Sequence, residues 1–147
     1  MNNKHRAMIA FFKPKIEEIS AEMNFNFSDD ELNSVAFLTD YADRIKKRYV
    51  RVGAIKEYGF TIIVTKAYST YEDDVNLQAM EFAQSLMDWV DQKNRAKEYP
   101  DFPDTCEIQK IETLQNMPNL AGVNIEQTMA RYMFQCRITY FEREVRK

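Results

Sequence analysis

The hydrophobic pattern changes period once between residues 60 and 90, and that change constrains the fold more than any other feature of the chain. Phe60, Ile62 and Val64 alternate with Thr61, Ile63 and Thr65, the two-residue period of an extended strand. Val75, Ala79, Phe82, Leu86, Trp89 and Val90 then recur every three or four residues, which places them on one stripe of a helix. Upstream, Arg44 to Val52 is a second strand, with Phe60 to Ser69 as its partner. Gly53 and Gly59 lie between them and read as turn residues. An antiparallel hairpin followed at once by a long amphipathic helix is the expected nucleus of the fold.

The remaining segments arrange themselves around that nucleus. Met8, Ile9, Phe12, Ile16, Ile19 and Met23 have helical spacing over residues 4–23. Pro14 either kinks this helix or marks its regular beginning, and in both cases Ile16, Ile19 and Met23 are expected to face the core. Asn24 to Phe27 reads as extended or turning, Ser28 to Glu31 as a capping box, and Val35 to Leu38 as a short strand. The second helix is expected from about Asp73 to Lys93, with acidic residues at its start and basic ones at its end, as the helix dipole favours. Tyr99 to Asp104, with two prolines, must break it.

Cys106 to Leu114 reads as a third long strand. Residues 115–129 read as a long connection containing Pro118 and Gly122. Ala130 to Glu142 is the clearest strand, with Tyr132, Phe134, Cys136, Ile138 and Tyr140 facing one way. Residues 1–4 and 143–147 are expected to fray. The order predicts one α+β domain over residues 1–147. It is a two-layer sandwich, with a mainly antiparallel sheet of about four to five strands and both helices on one face.

Several chemistries are disfavoured. With 3 Gly in 147 residues, Gly-rich phosphate loops are nearly excluded. The single histidine, His5, lies on an expected mobile terminus and offers little to a nucleophilic triad, so no catalytic residue is assigned. Cys106 and Cys136 lack the spacing of a zinc site and read as buried, reduced thiols, with a disulfide between them as the alternative; no metal and no cofactor is expected. The acidic groups 29–31 and 72–74 lack calcium-loop spacing and read as helix starts. No apolar run approaches the roughly 20 residues of a membrane span, and the N-terminal stretch reads as helix rather than signal peptide. A net charge of -3 argues against a protein that wraps nucleic acid.

Two surfaces remain as candidate interfaces. Arg44, Lys46 and Arg48 fall on one face of an extended strand, and with Lys47 and Arg51 they form a basic run. That run reads as a solvated or subunit-contacting face, with a small nucleic-acid-binding adaptor as the alternative. In the long connection, Met117, Leu120, Val123, Ile125 and Met129 are apolar. Either a partner covers them or they fold back into the core.

The same segments carry a family resemblance. Lys47-Arg48-Tyr49, Gly53, Glu57-Tyr58-Gly59-Phe60, Tyr68-Ser69, Asn76, Trp89, Phe102-Pro103 and the final strand RYMFQCRITYFE stand in an order that resembles the tail terminator, or minor capsid, proteins of tailed bacteriophages. The resemblance runs from about residue 35 to 142 and rests on the order of elements. It implies a non-enzymatic homo-oligomer, a six-membered ring that caps the tail tube and ends its polymerisation. It also implies a tail tube protein and a head-tail connector or stopper protein as partners. DNA would pass through the ring without sequence-specific binding, in the virion at the head-proximal end of the tail or in the host cytoplasm during assembly. A head-completion protein of the same assembly is the nearest alternative.

Overall fold

The computed structural model describes residues 3–18, 22–25, 34–67, 73–115, 117–124 and 129–144. The elements are α1 (Asn3–Glu18), β1 (Glu22–Phe25), β2 (Ser34–Tyr49), β3 (Gly53–Ala67), α2 (Asp73–Ala96), β4 (Cys106–Thr113), β5 (Asn119–Asn124) and β6 (Met129–Arg143). Among the described residues the sheet has six strands in the order β1-β2-β3-β6-β4, with β5 also paired to β6. β1 joins β2 in parallel; the other pairings are antiparallel. The α+β class and the mainly antiparallel sheet are as the sequence predicts, with six strands rather than four to five.

The helices share one face. The alternation of β3 and β6 puts Tyr58, Phe60, Ile62, Val64, Tyr132, Phe134, Cys136, Ile138 and Tyr140 on that face, all buried. Phe12 of α1 packs its ring against Phe37, Phe60 and Trp89, so it joins both helices to the sheet. From α2, Ala79, Ala83, Leu86, Met87 and Val90 complete the same core. α2 ends in a left-handed Lys97, φ 56°, with the Glu98 N–H donating to the Lys93 carbonyl, a Schellman-type cap in which lysine stands where glycine is usual.

Several expectations are corrected. α1 runs from Asn3 to Glu18 with Pro14 inside it, so it does not extend to Met23, which lies in β1. Residues 19–21 and the 28–31 capping box lie outside the described residues, and the burial of Ile16 is not described. Val35–Leu38 and the basic residues from Arg44 to Arg48 belong to one 16-residue strand, β2, and Arg51 lies in the turn that follows it. Asp40 and Asp43 disguise its continuity, because aspartate is depleted in strands. Here they sit at register shifts between Thr39 and Tyr41 and between Tyr41 and Arg44, where β-bulges absorb them.

Gly59 is not a turn residue. It lies inside β3, where a Cβ would collide with the Tyr41 ring. Gly53 opens β3 after a tight turn at Val50–Val52, and a Cβ there would collide with the Glu142 carbonyl oxygen.

The connection 115–129 is corrected as well. Asn119–Asn124 is a strand antiparallel to β6, and Met129 begins β6 itself. A Gly within the run and a register shift between Leu120 and Gly122 break the alternation that would have marked it in the sequence. Of the residues expected to fray, 1–2 and 145–147 lie outside the described residues, and the others are held. Lys4 is buried, and the N–H groups of Arg143 and Glu144 donate to the carbonyls of Thr105 and Val52.

Candidate interaction surfaces

The hairpin tip is built by β2 and β3. Its turn presents Val50 at 82% exposure and Val52 at 57%, with Arg51 left-handed at φ 62° between them. Exposed apolar side chains at a turn are unusual, since turns favour Gly, Asn, Asp and Pro. Around them Lys46, Lys47 and Arg48 are exposed, and so is Ile45. A cleft of about 390 Å3 lies beneath the turn, lined by Arg48, Arg51, Lys56, Glu142, Arg143 and Glu144 among others.

The bulges overturn the expected basic stripe. Arg44 pairs with Glu57, on the sheet face away from the helices, whereas Arg48 pairs with Ala54, on the helix-bearing face. Lys46 lies in the register shift between Ile45 and Lys47. Arg44, Lys46 and Arg48 therefore do not share a face, because each extra residue in a strand reverses the facing of all later residues.

Arg44 is also committed internally. Its guanidinium stacks on the Tyr41 ring 3.7 Å from the centroid and donates to Tyr41 Oη and Glu57 Oε1, both at 2.9 Å. Glu57 also bridges Arg137 Nε at 3.2 Å, and Arg137 reaches Glu112 at 2.8 Å. The hydrogen bond to Glu112 raises the Arg137 pKa despite some burial. This ladder leaves Arg44, Glu57, Arg137 and Glu112 paired with one another on the outer face of the sheet.

At the opposite end of the sheet, Met117 is 56% exposed and Leu120 53%, with Val123 and Leu114 also exposed. Leu120 pairs with Tyr132 and Val123 with Ala130, so both point to the helix-bearing side. Thr113 to Ile125 contains no charged residue. Ile125 lies outside the described residues, and Met129 is buried, so Met129 belongs to the core rather than to an interface.

A polar cluster that pattern reading missed lies between α1 and the sheet. Lys4 donates to Asp43 at 2.7 Å and to Glu142 at 3.1 Å. Tyr140 Oη donates to Asp43, and Lys56 pairs with Glu142. Burial opposes the charge on Lys4, but the bonds to Asp43 and Glu142 outweigh it and raise its pKa. Burial likewise opposes both carboxylates, and the partner bonds still hold them below the usual range. His5, expected on a solvated terminus, places Nδ1 2.8 Å from Tyr58 Oη, which also meets Thr39 Oγ1 at 2.8 Å. Burial pushes the Tyr58 phenol up to about 12. The one legible sign of this cluster was an aspartate, Asp43, in a β-favouring run.

Cys106 and Cys136 are free thiols, the second fully buried, and burial raises the pKa of each. That disfavours the thiolate a nucleophile needs. Among the described residues no group of three metal-binding side chains occurs, and no helix is long and apolar enough to cross a membrane. Compared with protein-family models and with curated proteins, the chain matches none.

Proposed function

We propose that the chain is a structural assembly protein, a tail terminator that joins others of its kind in a ring, six-membered as the resemblance implies, and caps a tail tube. The observation that carries this reading is the placement of the exposed apolar residues at the two ends of the strands. Val50 and Val52 lie at one end and Met117, Leu120 and Val123 at the other. Leu120 stands in the row of Val64 and Val123 in the row of Lys66, roughly 35–45 Å along β3 from Gly53 at the hairpin tip. A capping protein must hold a tube below and present a different surface above, and two distinct sticky ends meet that need. One end is rimmed by cations, whereas the segment from Thr113 to Ile125 at the other contains no charged residue, so the two would take different partners.

Such a ring would sit in the virion at the head-proximal end of the tail, with a tail tube protein on one side and a connector or stopper protein on the other. The same two ends would also serve a head-completion protein, so the tube itself is the discriminating partner. A nucleic-acid adaptor gains less support, since bulges divide the cations between faces and Arg44 is held by Glu57 and Tyr41. The test is addition of the purified protein to polymerising tube subunits, with tube lengths read by electron microscopy. Wild type should shorten and cap the tubes. Leu120→Ser with Val123→Ser should leave them uncapped while remaining folded. Tubes unaffected by wild type would remove the terminator reading.

A further inference from the structure

We propose that copies of this chain join head to tail through the basic β2 edge of one and the acidic β4 edge of the next. The inference rests on the assembly reading above and specifies its subunit interface. Lys47, Ile55, Phe141 and Glu107 form a single row across the sheet, on the face away from the helices. The row begins with a cation on one edge and ends with a carboxylate on the other. Around Lys47 on the β2 side lie Lys46, Arg48 and Arg51, all exposed. Around Glu107 on the β4 side lie Asp101 and Asp104, also exposed. Arg143 donates to the Asp104 carbonyl and pairs with Gly53, so the acidic loop and the hairpin tip stand at the same end of the strands.

None of Lys46, Arg48, Arg51, Asp101, Asp104 and Glu107 has an ion pair among the described residues. Many other charges are paired: Lys4, Arg44, Lys56, Lys93, Lys110 and Arg137 each meet a carboxylate. Three unpaired cations on one edge and three unpaired carboxylates on the other, at the same height, are self-complementary only between different copies. A contact between two different patches repeats around a ring until it closes. A second copy is therefore the occupant that the charge pattern fits.

The strand order fixes the sense of the join. β2 and β6 run one way, β3 and β4 the other. A copy displaced sideways without being inverted would bring its β2 antiparallel to the neighbouring β4. Side chains rather than a shared backbone ladder make this contact. Asn94 Oδ1 already accepts from the Ile111 N–H at 3.0 Å, and Tyr99 Oη donates to the Gln109 carbonyl at 3.3 Å, on the outer edge of β4. Exposed Ile45 would add apolar contact beside the charges.

Light scattering after size exclusion, at low and high salt, tests the interface on the full chain. Wild type should form an oligomer that dissociates as salt screens the charges. Lys46→Glu with Arg48→Glu and Arg51→Glu should leave a folded monomer, and so should Asp101→Lys with Asp104→Lys and Glu107→Lys. Weakening of tenfold or more is expected in each. The two triple variants mixed together should assemble again, because each now supplies what the other lacks. Circular dichroism controls for folding in every variant, and Lys46→Glu alone, exposed and in a bulge, covers the case in which a triple variant fails to fold. A monomeric wild type, an oligomer indifferent to both reversals, or mixed variants that stay apart would each overturn the proposal. An oligomer that behaves as described but leaves tubes uncapped would refute the terminator reading while keeping this interface. A monomer that still caps tubes would do the reverse.

Discussion

Lys4, in the first turn of α1, donates to the carboxylate of Asp43 at 2.7 Å across 39 positions of sequence. Asp43 is left-handed, φ 56°, within a β-bulge, and that backbone turns its carboxylate to the helix-bearing side, where Tyr140 also donates to it. One bulged residue thus anchors the start of α1 to the middle of the sheet. Lys4 is buried, but the Asp43 side chain is 38% exposed and keeps its bond from Tyr140, and Glu142 keeps Lys56, so neither carboxylate is left uncompensated when Lys4 is removed. Lys4→Met should lower stability by about 1.5 kcal/mol, through the loss of charge-assisted hydrogen bonds. Urea unfolding followed by circular dichroism would measure it; an unchanged midpoint would mean that α1 is not held by this contact.

The same cluster gives the stability a defined pH window. Asp43 and Glu142 have folded pKa values below their ordinary 3.8 and 4.5. Their contribution is present above those ordinary values and is lost as pH falls through the lowered ones. Lys4 has a folded pKa above its ordinary 10.5, so its contribution is complete below 10.5 and is lost as pH rises through the raised value. Melting temperature should fall at both extremes, and both falls should be shallower in Lys4→Met. Identical pH profiles for the two proteins would show that the cluster does not couple to folding.

Gly53 and Gly59 should respond differently to alanine. At Gly59 the obstacle is the Tyr41 ring, a side chain that can swing aside at the cost of its stack with Arg44. That should cost about 1–3 kcal/mol. At Gly53 the obstacle is the Glu142 carbonyl and the Arg143 backbone, which cannot move without disturbing the β3–β6 ladder. Gly53→Ala should be the more destabilising of the two in urea titrations; the reverse order would contradict the close approach at the hairpin tip.

Trp89 is half-buried against Phe11 and Phe12, with Lys93 over its ring. Trp89→Ala should cost about 3 kcal/mol, by lost burial and by loosening the contact between α1 and α2. A thermal melt unchanged within a degree or two would place the indole in solvent.

Replacing residues 115–129 with a short Gly-Ser turn, harmless for a structureless loop, should instead destabilise the fold. It would remove β5, the buried Pro118 and the first residue of β6. A truncated protein with wild-type melting behaviour would show that β5 contributes nothing to the domain.

The sequence by itself determined the elements whose pattern is local. α2 was legible because its apolar residues keep one helical stripe. The face of β6 that carries Phe134 and Ile138 was legible because period two leaves no choice of side. The β2–β3 hairpin and the α+β class came with these. Only the tertiary structure decided where the strands bulge, because a bulge answers to the partner strand, and no spacing within Thr39 to Lys47 announces it. That decision separated Arg44 from Arg48, brought Asp43 to Lys4, and placed Tyr41 over Gly59. It also made β5 a strand, since a six-residue segment with Gly and Asn gains its order from the β6 ladder rather than from its own propensity. The placement of Lys47 and Glu107 at the two ends of one row depends on the register of four strands at once, which no stretch of the chain encodes alone.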